Sequence, residues 1–196
     1  MQDHKVDVPE GVSGDWRVER FEITERAASL ERVRASFHAP YREPPPAGHY
    51  TRLTHRGSLV MSDTPAEIRD HWYAICQSKG NVLVNGLGLG VVVQAMLDRP
   101  QVDHLTVIEL SPDVLSLIAP HYHSRFGDRL TTIQADALTW KPPVGVRYDV
   151  VWHDIWSDIC SDNLPEMHKL HRKYGRRTDW QASWCRDECE HARGCW

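Results

Sequence analysis

The chain is poor in cysteine, with five in 196 residues and none before Cys76. An odd, scattered set argues against a disulfide framework and fits a reducing cytoplasm. Long apolar runs are missing too. The longest, around Val82 to Val93, is broken by Asn85 and three glycines, so it is no membrane span. Met1 to Pro9 alternates charge and valine without a signal-peptide core. Positive charge is not in surplus: 23 Lys and Arg face 27 Asp and Glu, for a net charge of −4. That offers nucleic acid no general basic surface, only room for a local patch. No internal repeat is visible, and Pro44-Pro45-Pro46 is the one low-complexity tract. What remains suits one domain with a real core and a small N-terminal extension. Homo-oligomerisation stays open.

Val82-Leu83-Val84-Asn85-Gly86-Leu87-Gly88-Leu89-Gly90 is the stretch the rest is organised around. A short β-branched run ending in glycine reads as a buried parallel strand. Glycine lets the backbone turn sharply and a ligand come close. A helix of apolar residues, Val91 to Leu97, follows. Strand, glycine turn and helix make the first unit of a nucleotide-binding α/β sheet. The spacing Gly86, Gly88, Gly90 departs from the dinucleotide pattern Gly-x-Gly-x-x-Gly, whose third position here is Val91. That disfavours an NAD-dependent oxidoreductase. A phosphate loop is excluded, because no lysine lies between Lys79 and Lys141.

In chain order, Trp16 to Ile23 suggests an irregular strand. Thr24 can cap a helix to about Phe37, with Ala27, Leu30, Val33 and Phe37 on one stripe. Tyr50 to Met61 reads as a hairpin turning at Arg56-Gly57. Thr64-Pro65-Ala66-Glu67 spells a capping box with proline in the first turn. Ile68, Trp72, Ile75 and Cys76 form the apolar stripe of that helix, and Gly80 closes it. These features divide the chain into an extension over 1–62 and a Rossmann-like domain over 63–196. Further strands end at Glu109, at Ala135 before Asp136, and at His153 before Asp154. Ser111 caps the helix after the second strand. Ligands of such sheets bind outside the carboxyl ends of the strands. The three acids and the glycine turn should therefore share one edge. His153 should face away from Asp154 by strand alternation and play a structural part.

From about Leu59 to Asp154 this order resembles the class I S-adenosylmethionine-dependent methyltransferases, and within them the spermidine-synthase-like group. The resemblance implies a doubly wound sheet of order about 3-2-1-4-5, with the last antiparallel hairpin of the fold apparently missing. It implies that S-adenosylmethionine is held by Asn85, Gly86, Leu87, Gly88 and Gly90, by Glu109 and Leu110 at the ribose, and by Asp136 and Ala137 at the adenine. Asp154 matches the acid beside the transferred group. The implied activity is methyl transfer to a small acceptor, with Asp154 catalytic and Asp154 and Trp156 binding the acceptor. Aminopropyl transfer, and a nonenzymatic nucleoside- or protein-binding module of the same fold, are the alternatives.

Asp154, Asp158 and Asp162 recur at four-residue intervals around Trp156. If helical, they share a face that could hold a cation against the indole. The plainer reading solvates Asp158 and lets Asp162 or Asn163 cap the next helix, with Glu166 in capping-box range. Cys185-x3-Cys189 with His191, Cys195 or Cys160 falls short of a zinc pattern, and no metal is expected. His168 and His171 read as solvent-facing on the Leu164 helix. The cluster Lys169, Arg172, Lys173, Arg176 and Arg177 suits that helix's carboxyl end.

Overall fold

A computed structural model describes residues 5–38 and 44–192. It has two sheets. The first is antiparallel, with β1 (Gly11–Ser13), β2 (Trp16–Ile23), β3 (Gly48–His55) and β4 (Ser58–Ser62) in order 1-2-3-4. Helix α1 (Glu25–His38) connects β2 to β3. The hairpin of β3 and β4 turns at Arg56 and Gly57, both with positive φ (52° and 81°). That is the twist a two-residue hairpin loop requires.

The second sheet is wholly parallel. It contains β5 (Gly80–Asn85), β6 (Val102–Glu109), β7 (Leu130–Gln134), β8 (Tyr148–His153) and β9 (Thr178–Ser183). The spatial order is β7-β6-β5-β8-β9, or 3-2-1-4-5 counted along this sheet. The helices are α2 (Pro65–Gln77), α3 (Val91–Leu97), α4 (Pro112–Phe126), α5 (Leu164–Tyr174) and α6 (Arg186–His191). The order reverses direction beside β5, so a crevice opens at the carboxyl ends of β5 and β8.

One apolar cluster ties the two sheets together. It runs from Val6, Val8, Val18 and Leu53 to Val82, Val84, Met96, Leu105 and Ile118. Burying each such side chain is worth about 1.5–3 kcal/mol. Helix α3 is buried on all sides, which explains a sequence apolar except for Gln94, whose side-chain amide donates to the Lys5 carbonyl at 3.1 Å. Gly90 precedes it because a Cβ there would enter the ring of Tyr122. The Tyr122 hydroxyl donates to the Leu89 carbonyl at 2.8 Å. The third glycine thus admits a tyrosine of α4 to the turn.

Several sequence expectations need correction. On α1, Leu30 and Val33 are exposed and Ala28 is the buried residue; the side chain of Phe37 lies outside the described residues. On α2, Thr64 is the N-cap residue but its hydroxyl makes no capping bond to the helix. It pairs instead with the Ser62 hydroxyl at 3.1 Å. The buried face of α2 is Ile68, His71, Ala74 and Ile75, while Trp72 and Cys76 point outward. Gly80 begins β5 and does not close α2. Asp158 and Asp162 lie in no α-helix and are exposed, which agrees with the plainer reading of a solvated Asp158, while Asn163 is the N-cap residue of α5 without a side-chain capping bond. His171 is half-buried, with Nε2 2.9 Å from the Ser183 hydroxyl. Cys160 is disulfide-bonded, against the expectation of unpaired cysteines; Cys76, Cys185 and Cys189 carry no disulfide. No cluster of three metal-ligating side chains occurs among the described residues, and Cys195 lies outside them. No described helix is long and apolar enough to cross a membrane.

His153 is fully buried and structural. Its Nδ1 accepts from the Asn85 amide at 2.7 Å, and its Nε2 faces the Gln181 oxygen at 3.2 Å. Burial, the leading cause, pushes its pKa down to about 3 from 6.5. The unfolded chain therefore binds more protons than the folded one between those values. Stability contributed by the neutral ring is complete above pH 6.5 and is lost as pH falls toward 3. The denaturant midpoint is expected to fall between pH 7 and pH 5, and to fall less in His153→Leu. An equal drop in both proteins would contradict this.

Candidate active site

A cavity of about 460 Å³ opens along the carboxyl edge of the parallel sheet. That volume is within the range of small-molecule sites, about 300–1,000 Å³. Of the residues expected there, Gly86, Gly88, Glu109, Leu110, Asp136, Ala137, Asp154 and Trp156 line it. Asn85, Leu87 and Gly90 do not. The Asn85 side chain is committed to His153 on the far side of the strand. Leu87 is buried in the core and Gly90 packs on Tyr122.

Glu109 ends β6, where the chain bends toward α4. Its Oε2 accepts from the Leu87 N–H at 2.8 Å and its Oε1 from the Ser111 N–H at 2.8 Å. These two bonds tie the glycine turn to the start of α4 and fix the carboxylate at the cavity wall. Each oxygen keeps a lone pair for a further donor. Ser111 in turn caps α4, its hydroxyl accepting from the Val114 N–H at 3.3 Å.

Asp136 does double duty. Its Oδ1 accepts from the Leu138 N–H at 2.8 Å and its Oδ2 from the Thr139 hydroxyl at 3.1 Å. It shapes the turn that carries Ala137 and Leu138 to the cavity. Ile108, Leu110, Ala135, Ala137 and Leu138 supply apolar wall around the two acids.

Asp154 leaves β8 with its N–H bonded to the Asn85 carbonyl at 2.8 Å. Its carboxylate is 12% exposed and lies 3.8 Å from Nε2 of the fully buried His71. The His71 ring meets Trp152 edge to face, with centroids 5.9 Å apart. His71 was not foreseen as a neighbour, although its spacing of three from Ile68 and four to Ile75 fits the inward face of α2. Trp156 stands beside Asp154 and donates its indole N–H to Glu166 Oε2 at 2.9 Å. Glu166, expected to cap α5, instead anchors the tryptophan.

The antiparallel sheet closes the opposite side with Trp16, Leu53, His55, Val60 and Met61. Trp16 and His55 stack with centroids 4.5 Å apart. Val60 and Met61 both reach the cavity because of a register shift: Leu53 pairs with Met61 while Thr54 pairs with Leu59. Val60 is the extra residue of a β-bulge, a device that re-aims side chains. The uninterrupted run Leu59-Val60-Met61 is the only hint of it in the sequence.

The cavity therefore holds four carboxylates, Glu109, Asp136, Asp154 and Glu166, and no lysine or arginine among its described lining residues. It favours a positively charged occupant. Aromatic faces at Trp16 and Trp156 add to that preference.

No protein-family model matches the chain. Solved structures similar to it include TrmN from Thermus thermophilus, at 13% identity and TM-score 0.49, covering 66% of this chain and 41% of that one. The CcbJ methyltransferase from Streptomyces caelestis is similar at 17% identity and TM-score 0.43, covering 56% and 45%. Two curated proteins of Ralstonia nicotianae, polyamine aminopropyltransferases 1 and 2, are each 34% identical over 76 residues, covering 35% of this chain. The matched part spans only 15% and 14% of the length of aminopropyltransferases 2 and 1.

Proposed function

We propose that the chain is an S-adenosylmethionine-dependent methyltransferase acting on a small amine acceptor, whose nitrogen reacts as the neutral base. The observation that carries this reading is the cavity that joins Glu109, Asp136 and Asp154 at the edge of the glycine turn, with no lysine or arginine among its described lining residues. The cofactor's chemical fit rests on its parts. Glu109 offers two oriented oxygens to a ribose diol. Ala137, Leu138 and Ile108 offer a flat apolar bed to a purine beside Asp136. A sulfonium is cationic, and the described lining carries four carboxyl groups with no lysine or arginine. When bound, the cofactor supplies an electrophilic methyl group for in-line displacement.

This chain's own residues would then do three things. The antiparallel sheet and Trp156 exclude water and hold the acceptor in line, which is the larger part of the barrier such a displacement meets. Asp154 accepts a hydrogen bond from the acceptor nitrogen and orients its lone pair. The same carboxylate stabilises positive charge developing on that nitrogen.

A second reading, aminopropyl transfer from decarboxylated S-adenosylmethionine, is favoured by one specific observation. Among the described lining residues no lysine or arginine is available to a cofactor carboxylate. The 76-residue similarity to aminopropyltransferases supports the same reading. A nonenzymatic nucleoside- or protein-binding module is the outcome if nothing turns over. A cytoplasmic location belongs to the proposal, and the disulfide at Cys160 weighs against it. Calorimetric titration with S-adenosylmethionine, S-adenosylhomocysteine, decarboxylated S-adenosylmethionine and NAD in parallel tests the assignment. Binding of NAD alone would overturn it.

Glu109→Ala is expected to weaken S-adenosylhomocysteine by about 1.5–3 kcal/mol, the range for hydrogen bonds to a charged group. Calorimetry checks this, with thermal denaturation alongside because Leu87 and Ser111 also lose their acceptor. Unchanged affinity would remove Glu109 from the ribose site.

A further inference from the structure

The glycine turn presents several backbone N–H groups, and most are spent on strong oxygen acceptors. The Gly86 N–H donates to the Ile108 carbonyl at 2.8 Å, and the Gly90 N–H to the Leu87 carbonyl at 2.8 Å. The Leu87 N–H donates to Glu109 at 2.8 Å. The Leu89 N–H differs. It points at the thioether of Met61, with the nitrogen 3.3 Å from Sδ. A thioether is a weak acceptor. The same sulfur lies over Gly88, only 2.6 Å from where a Cβ would stand. Met61 reaches this point because the bulge at Val60 turns it into the cavity.

We propose that Met61 determines which cofactor tail the cavity accepts, its sulfur guarding the Leu89 N–H that a tail carboxylate would take. The inference rests on the nucleoside reading above. Glu109 and Asp136 place the nucleoside at one end of the cavity, and Asp154 marks the other. The Gly88 turn and Met61 lie between them. An anionic tail entering there finds four carboxylates and no lysine or arginine among the described lining residues. Its partners at the turn are backbone donors: the Leu89 N–H, held by a weak acceptor, and the N–H of Gly88, the residue the same sulfur covers. A carboxylate-bearing tail therefore binds by displacing Met61. A nucleoside without the amino-acid tail leaves Met61 in place.

Two probes separate these cases. S-adenosylhomocysteine carries the tail carboxylate; 5′-methylthioadenosine has the same nucleoside thioether without it. Both are titrated calorimetrically into the parent, Met61→Ala and Met61→Val. Valine ends before the δ position, so it clears Leu89, and its β-branching suits a strand. It carries the test should the alanine variant fail to fold. The expected result is about tenfold tighter S-adenosylhomocysteine in the variants, equal to the lower end for a charged hydrogen bond, with methylthioadenosine within about twofold of the parent. An unchanged ratio of the two affinities overturns the role of Met61 and leaves the nucleoside site standing. Weaker S-adenosylhomocysteine in the variants does the same, since Met61 would then be a contact and no guard. Failure of both probes to bind parent and variants overturns the nucleoside reading and this inference with it.

Discussion

Asp154→Asn is expected to lower turnover by about 100-fold or more while nucleoside affinity stays within a few-fold. The substitution keeps size and shape and removes charge. The backbone of Asp154 is fixed by its bond to the Asn85 carbonyl, so the side chain stays where it is. What changes is the potential at the mouth of the cavity between Trp156 and His71. A carboxylate there accepts from an amine and favours charge building on nitrogen; an amide does half the first task and none of the second. The assay measures S-adenosylhomocysteine or methylthioadenosine released across a panel of amines, small phenols and nucleic acids. Activity equal to the parent would sink the role of Asp154. A loss of nucleoside affinity as large as the loss of turnover would move Asp154 into the cofactor site. No turnover by the parent, with tight nucleoside binding, would favour the nonenzymatic module.

The parallel sheet was legible because each of its signals is local. A strand that is buried on both faces reads as an apolar run, and its end reads as glycine or acid. The sheet order of β5 to β9 was implied by the resemblance to the class I methyltransferases; crossovers of one hand alone leave other orders open. The hairpin was legible for the same reason, through Arg56-Gly57. Helices at the surface were harder. Helix α1 has apolar residues at helical spacing, yet Leu30 and Val33 are exposed. Periodicity says that a face could be buried, not that it is. On α2 the large aromatic Trp72 drew the stripe outward, while the partner surface at β8 took His71.

The site divided along the same line. Glu109, Asp136 and Asp154 came from strand ends and share the cavity. Asn85 sat on the same stretch, but strand alternation sends its side chain to His153, on the face opposite the ligand edge. The glycines were read as clearance for a ligand. Protein also crowds them: Asp154 at Gly86, Met61 at Gly88 and Tyr122 at Gly90. Nothing in a local window announces a contact between residues 61 and 88, or between 71 and 154. Those pairs depend on how the antiparallel sheet and α2 settle on the parallel one, which is a property of the whole core.

Gly86→Ala is expected to destabilise the fold by about 3 kcal/mol or more. Two costs add. Gly86 has a φ of 99°, and positive φ costs an L-residue about 1–2 kcal/mol. Its missing Cβ is also filled by the main-chain carbonyl of Asp154, and overpacking costs about 1–3 kcal/mol. A flexible side chain could swing aside; a carbonyl at the end of β8 cannot move without drawing the Asp154 N–H away from Asn85. The loss would consume a large part of a typical stability of about 5–15 kcal/mol. Gly145 is the control. Its φ is 84°, near that of Gly86, and nothing lies within 4 Å of a Cβ built on it. Gly145→Ala therefore carries the backbone cost alone. Denaturant titration of both variants separates the terms, and equal losses would refute the claim that Gly86 is glycine to admit the Asp154 backbone. A larger loss at Gly86, with Asp154 displaced, predicts that whatever part of this variant folds also loses turnover, because the turn and the reacting carboxylate are held by the same contact.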